Sequence, residues 1–337
     1  MLLTALASDR LYESRTNSAE RCSAARGQTA DELTMTRTIV GDLHTHSTAS
    51  DGDLSPAEVV REAHALGLKA VALTDHDTLA GLDEALHTGR EVGQCVICGV
   101  EVSLRFRRSA FVGSLHYILY FPSSLLSCPD FTGTLSSILA KGRGHRLTAE
   151  RVATINVLFG PEGSLERVLP RPLTTEAIEA ASPNPTRRHF AEVLTRQYGL
   201  ERASVSRLIS NDSPAYVPSG IEMGELRPLF ERFSTARVLA HPAAGSCPEP
   251  SVYREVLPPF ETVERMIPEF LAFGLDGLEV YYPGHTPEHT RLLESCAREH
   301  SLLVTGGSDA HDRIERPLGT AGVTEAELGS LLAVLRS

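Results

Sequence analysis

The chain contains no apolar run approaching the roughly 20 residues that a membrane-spanning helix needs. Its opening, Met1-Leu2-Leu3-Thr4-Ala5-Leu6-Ala7, is shorter than a signal-peptide core and has no basic leader. A cytoplasmic protein with no membrane partner is expected. Positive charge is scarce: 32 Lys and Arg against 43 Asp and Glu leave a net charge of -11. That argues against stable binding of duplex nucleic acid through many phosphate contacts. Cysteine is thinly spread, with six at 22, 95, 98, 128, 247 and 296, whereas secreted disulfide scaffolds pack cysteines densely into short chains. Cys95-Val96-Ile97-Cys98 has a metal-site form, but it lies in an apolar strand-like run without a second pair and is read as core. The Gly-x-Ser-x-Gly elbow, the Gly-x-x-x-x-Gly-Lys loop and the His-Glu-x-x-His helix are all missing. Serine hydrolase, nucleoside triphosphatase and zincin chemistries therefore have no support.

An apolar share of 42% in 337 residues is enough for a substantial core in one or two domains. Residues 1–37 are polar and without period, so disorder is expected there, and Met35 could be the biological start. Beyond them runs an α/β rhythm. Ser55-Pro56 opens a helix that ends near Gly67, residues 69–74 form a buried strand, and Asp77 is expected to cap a helix reaching Val92. Residues 94–102 and 111–121 read as strands, and the rhythm implies a largely parallel sheet with helices outside.

From 122 to 233 the pattern changes to successive helices, near 134–158, 174–181, 186–198, 200–209 and 221–233, with proline-rich joints. This reads as a helical insertion between two parts of one barrel, 38–121 and 234–337. Between Lys141 and Ser210 there are 11 Lys and Arg against 7 Asp and Glu, so positive charge concentrates in the insertion. After it, strands at 237–240, 277–281 and 302–305 alternate with helices near 259–273 and 287–299, and a last helix starts near Thr324.

Asp42-Leu43-His44-Thr45-His46-Ser47-Thr48-Ala49-Ser50-Asp51-Gly52-Asp53 follows the first apolar segment, and side chains two apart on a strand share a face. One His-x-His pair is more often core or surface than a metal site. Here the chemistry recurs: His44, His46, His76, His241, Asp309 and His311 all fall at or just past the carboxyl ends of expected strands, the end of an α/β barrel where active sites are built. With Asp51, Glu101 and His116 they make nine donors, too many for one ion. Two or three divalent ions, zinc or manganese, with bridging carboxylates fit such a set. Hydrolysis by an activated water is the chemistry it suggests.

In order, Asp-Leu-His-Thr-His-Ser-Thr-Ala-Ser-Asp-Gly from Asp42, Leu-Thr-Asp-His-Asp-Thr from Leu73, Gly99-Val100-Glu101, Leu-Ala-His-Pro from Leu239 and Gly-Gly-Ser-Asp-Ala-His from Gly306 resemble the PHP (polymerase and histidinol phosphatase) metal-dependent phosphoesterases over about 40–325. The resemblance implies a distorted barrel of seven strands and helices. It implies His44, His46, Asp51, His76, Glu101, His116, His241, Asp309 and His311 as ligands of two or three ions, with Mn2+ first and Zn2+ or Fe2+ as alternatives. Asp42 and Asp75 are implied as partners that orient imidazoles. At His116-Tyr117-Ile118-Leu119-Tyr120 the chain departs from the family's His-Leu-Leu-Gly-Tyr.

The insertion resembles that of phosphatases acting on 3′,5′-nucleoside bisphosphates and short 5′-phosphorylated oligonucleotides, through Arg143-Gly144-His145-Arg146, Arg187-Arg188-His189-Phe190 and Pro214-Ala215-Tyr216-Val217-Pro218. Arg143 and Arg146, three apart on the expected helix, would share a face suited to a forked grip on phosphate, against the alternative of a solvated basic face. Arg187 and His189 would sit at a helix start that favours an anion. The expected activity is phosphomonoester hydrolysis by a metal-bridging hydroxide on a small phosphorylated substrate, a nucleotide. Histidinol-phosphate phosphatase activity and a non-catalytic metal-binding accessory module are the alternatives.

Overall fold

Seven apolar runs become strands in the computed structural model, which describes residues 37–109, 111–182, 184–248 and 257–336. They are β1 (Gly41–Thr45), β2 (Ala70–Leu73), β3 (Cys95–Arg108), β4 (Phe111–Phe121), β5 (Ala236–Leu239), β6 (Gly277–Tyr281) and β7 (Leu303–Gly306). The expected disorder before Arg37 and the role of Met35 lie outside the described residues. Strand order in the sheet follows chain order, and isolated bridges Thr45–Ala310 and Gly41–Val323 carry the far edge back to β1. The result is a nearly closed, barrel-shaped sheet.

All pairings are parallel except those of β4, which runs antiparallel to both β3 and β5. This departs from the uniform rhythm expected for the first half. Only Ser109 and Ala110 separate β3 from β4 in the chain, and a parallel return would need a crossover of about a dozen residues. Reversal moves one functional residue: His116, midway along β4, pairs with Ser103, two residues past Glu101 in β3. It therefore reaches the same end of the barrel as Glu101.

The sheet is lined by α1 (Pro56–Ala65), α2 (Leu82–Val92), α9 (Phe260–Ala272), α10 (Pro287–Glu299) and α11 (Glu325–Val334). Ser55 caps α1 by accepting from the Glu58 amide, and Pro56 sits in the first turn as expected. Asp77 caps nothing: α2 begins five residues later behind Gly81, and the Asp77 carboxylate instead accepts from Ser103 and Arg143. Period-2 alternation splits the strands between two cores. Val100, Val102, Tyr117 and Leu119 pack under the helices, while Ile97, Ile118, Tyr120, Ala72 and Val238 join Leu328 and Leu331 of α11 in a second cluster.

The insertion holds α3 (Pro129–Leu139), α4 (His145–Phe159), α5 (Thr175–Glu179), α6 (Arg187–Arg196), α7 (Arg202–Ile209) and the single turn α8 (Arg227–Phe230). The helix expected over 134–158 is two helices. The chain breaks at Gly142, where an added Cβ would lie 2.5 Å from the Gly220 backbone, and at Gly144, whose φ is +78°. Of the helix expected over 221–233, a 3-10 turn at Met223–Leu226 and α8 form. Val152, Ile155, Phe190, Leu194 and Leu208 make a core of their own, whereas Phe131, Leu135 and Leu229 pack into the main barrel core. Among the described residues no helix is long and apolar enough to cross a membrane.

Candidate metal centre and basic cavity

β1 ends at Thr45, so His44 and His46 emerge at the rim of the barrel. The following loop curls back because Gly52 lies where a Cβ would stand 2.5 Å from His46 O, and this brings Asp51 beside His46. His241 and Asp309 adopt left-handed backbone, φ +28° and +51°, as does Asp77 at +50°. Such strain persists only where contacts hold it. At His241 the amide donates to Glu279 Oε2 at 2.7 Å, and at Asp77 the amide donates to Glu101 O at 3.0 Å.

Eight side chains converge in three overlapping groups, and each group's donor atoms lie within 4.8 Å of one another: His44, His46, Glu101 and Asp309; His46, Asp51, His76 and His311; His76, Glu101 and His116. His241 joins through Nε2, 3.0 Å from Glu101 Oε1. Glu101 is the hub. Its Oε2 lies 3.3 Å from His44 Nε2, 3.1 Å from His46 Nε2 and 3.1 Å from His76 Nδ1, and its Oε1 lies 2.9 Å from His116 Nδ1. Asp51 Oδ1, His76 Nδ1 and Glu101 Oε2 are buried without a hydrogen-bond partner. An orphaned buried polar atom costs about 1–3 kcal/mol, so three at one point fit a centre completed by cations. Imidazoles and carboxylates without a thiolate suit Mn2+, Zn2+ or Fe2+.

Electrostatics agree. Burial alone would raise Glu101, but His76, His116 and His44 overcome it and hold the carboxyl well below its usual range. Asp51 and Asp309 are likewise held down, against burial, chiefly by His311. Three carboxylates held toward their ionised forms thus face the cavity as candidate cation donors.

Asp42 does not orient an imidazole. It accepts from the Ser308 amide and hydroxyl, the Gly319 amide and the His44 amide, tying β1 to the loop after β7. Burial pushes it up to about 6 in spite of those bonds. Asp75 acts through serine: it accepts from Ser47 and from Ser50 Oγ, which lies 3.4 Å from His46 Nδ1. The imidazole-orienting carboxylate is Glu279, 3.0 Å from His44 Nδ1. Glu279→Gln should weaken metal binding about 10- to 100-fold, measured by titrating the metal-free protein with Mn2+, because outer partners of this kind contribute that much.

From this centre a cavity of about 800 Å³ runs along the insertion, bordered by Arg143, Arg151, Arg187, Arg188, Arg202 and Arg316. Of the phosphate residues expected from the sequence, Arg187 lines it, stacked 5.2 Å from the Tyr216 ring and donating to Asn211 Oδ1. Arg143 borders it but is held by Asp77 and by Ser103 Oγ at 3.0 Å. It precedes α4, so no helical face joins it to Arg146, which is exposed and donates to Lys141 O at 3.3 Å. His189 turns back to accept from the Thr186 amide at 3.0 Å. Arg151 was legible as an arginine between Leu147 and Ile155, i and i+8 on one apolar face of α4. Arg188 lay inside the quoted Arg187-Arg188-His189-Phe190 stretch without being singled out, and Arg202 and Arg316 carried no such signal.

Residues 42–217 match the PHP domain family. A 5′-3′ exoribonuclease from Haemophilus influenzae is 30% identical over 277 residues, covering 80% of this chain and 89% of the relative. A 3′,5′-nucleoside bisphosphate phosphatase from Chromobacterium violaceum is 27% identical, with 80% and 86% covered. The crystal structure of a metal-dependent phosphoesterase from Bifidobacterium adolescentis superposes with a TM-score of 0.68 at 27% identity, covering 88% of this chain and 97% of that one. Barrel, buried donor centre and these likenesses together define a metal-dependent phosphoesterase, a hydrolase of phosphoric esters. The chain belongs to the PHP domain family.

Proposed function

We propose that the nine-residue centre binds two or three divalent ions, with Mn2+ first, and that the enzyme removes a phosphate from a substrate carrying further phosphate: a 3′,5′-nucleoside bisphosphate or a short 5′-phosphorylated oligonucleotide. The observation that carries this reading is Arg151. It is buried, its Nε donates to the Val217 carbonyl, and among the described residues no carboxylate pairs with it. Burial, then the Arg187 and Arg143 guanidiniums, push it down to about 9. Guanidiniums crowded at the wall of the cavity that the ion-binding donors also line form a site for an anion. The name of the Chromobacterium violaceum relative points the same way.

Divalent ions held by these donors would supply Lewis acidity for a water nucleophile and positive charge for phosphoryl oxygens. The chain's own residues do the rest. Glu279 fixes His44, the Asp75–Ser50 pair supports His46, and Arg187 and Arg151 hold the non-reacting phosphate so that the scissile one meets the centre.

Phosphate release with Mn2+ from a 3′,5′-bisphosphate, the matching monophosphates, a 5′-phosphorylated oligonucleotide and histidinol phosphate tests this. Preference for the bisphosphate or the oligonucleotide is expected. A metal-loaded protein that prefers histidinol phosphate, or turns over nothing, overturns it. Arg151→Ala should lower kcat/KM for the preferred substrate about 10- to 100-fold, the worth of a charged hydrogen bond, and should leave the monophosphate rate nearly unchanged.

A further inference from the structure

The candidate donors are not all positioned by the barrel. His44 is fixed by Glu279 and Asp42, and Asp309 lies beside Ser308, whose amide and hydroxyl donate to Asp42. All of these are barrel contacts. Asp51 and His76 are held differently. Their own carbonyls accept from side chains of the joint before α6 and of its first turn: Asn184 Nδ2 donates to His76 O at 2.7 Å, and Arg188 Nη1 donates to Asp51 O at 2.9 Å. Arg188 Nη2 also reaches Asp53 Oδ1 at 2.8 Å, which pins the far side of the same loop. Asp53 is thus a pairing partner as well as a turn residue.

We infer that Asn184 and Arg188 are positioning residues which make one ion position of the centre depend on the insertion: the His46, Asp51, His76 and His311 position. The His44, His46, Glu101 and Asp309 position is held chiefly by the barrel, the insertion reaching it only through Ser182 Oγ, 3.5 Å from Ser50 O. This rests on the reading of the centre as a metal site. Neither residue touches an ion or the substrate in this role; each acts by holding the peptide that carries a donor. The N–H of each of these peptides is held from the barrel side, Gly52 N by Ser47 O at 2.9 Å and Asp77 N by Glu101 O at 3.0 Å, so the clasp fixes the opposite face. A donor displaced by about 1 Å no longer meets an ion at the narrow distances coordination requires. The same contacts join the basic cavity to the centre. A ligand that draws Arg188 from Asp53 alters the Asp51 loop, and by linkage the ion at that position alters the ligand's affinity equally.

The test is titration of the metal-free full-length protein with Mn2+ alone, followed by calorimetry and by the electron paramagnetic resonance signal of the bound ions. In Asn184→Ala and in Arg188→Ala, the tightest equivalent should keep its affinity while at least one other weakens about 10- to 100-fold, the usual scale for outer partners of a ligand. Asp51→Asn should weaken the same equivalent, and either clasp substitution added to Asp51→Asn should cost little more, since both act through one position. The melting temperature of the metal-free protein reports the fold separately. If all equivalents weaken together, or none does, in variants whose melting temperature is unchanged, the clasp is overturned while the metal centre stands. A variant that melts early is set aside for the other, since Asn184 and Arg188 hold different carbonyls and each alone decides the question. If the unaltered protein takes up no Mn2+, the reading of the centre fails first.

Discussion

Glu101→Gln should abolish turnover, lowering kcat/KM by about 10³-fold or more, and should strip the protein of bound metal. One preorganised charge-stabilising group is worth about 10²–10³-fold in rate, and Glu101 serves more than one part of the centre. It belongs to two of the three donor groups and lies within 3.3 Å of His44, His46 and His76 through one oxygen and within 3.0 Å of His116 and His241 through the other. Glutamine keeps the shape, removes the charge and turns a donor toward imidazoles or ions that need an acceptor. Metal analysis of the purified variant and its rate on the preferred substrate check this. A variant that retains every ion and most of its activity would show that the hub position is structural. Chelation of the unaltered enzyme should give the same loss, and Mn2+ should restore it.

The contrast with Glu279→Gln separates two roles that look alike as buried glutamates. Glu279 faces the far nitrogen of His44 and the His241 amide, so its loss loosens two residues by degrees. Glu101 faces the inner nitrogens. Both charges are paid for by neighbours, but only Glu101 Oε2 is left without a hydrogen-bond partner.

The metal centre was legible because its residues sit in short motifs at strand ends, where period-2 alternation and chain order determine which side chains meet. His44, His46, His76, His241, Asp309 and His311 arrive that way, while Asp51 follows in the loop after β1 and Glu101 lies within β3, which runs on to Arg108. His116 arrives by another route: it lies within β4, and only the antiparallel return of that strand carries it to Glu101. Strand direction is a long-range property, although the two-residue gap after Arg108 was a local hint. The basic residues were read less well because their geometry was argued from a helix that does not exist. Gly142 and Gly144 break it where the chain passes Gly220, and that close approach is a tertiary contact. Arg143 consequently becomes the partner of Asp77, a residue whose sequence position suggested a helix cap. Local pattern located the charge in the insertion; packing decided which guanidiniums reach the cavity.

Gly307→Ala should cost about 10²-fold in kcat/KM together with roughly 1–3 kcal/mol of stability. Gly307 lies directly behind the first donor: a Cβ there would overlap His44 N and Cβ and stand 2.8 Å from His44 Cα. These are backbone atoms of β1, so no side-chain rotation relieves the overlap. Either β1 moves away from the loop after β7, carrying His44 with it, or that loop retreats with Asp309 and His311. Each movement is of the order of 1 Å, and each separates donors that must meet at one ion. Gly133→Ala is the matched control. Gly133 lies within α3, and an added Cβ meets nothing within 4 Å, so alanine there should leave activity intact and raise stability by about 0.5–1 kcal/mol. Chemical denaturation and Mn2+ titration of the two variants test the pair. Equal behaviour of the two would mean that contact between β1 and the β7 loop does not hold the donors in register. If Gly307→Ala lost stability but kept its ions and rate, the centre would be tolerant of displacement, contrary to the rigidity that its shared carboxylate and overlapping groups require.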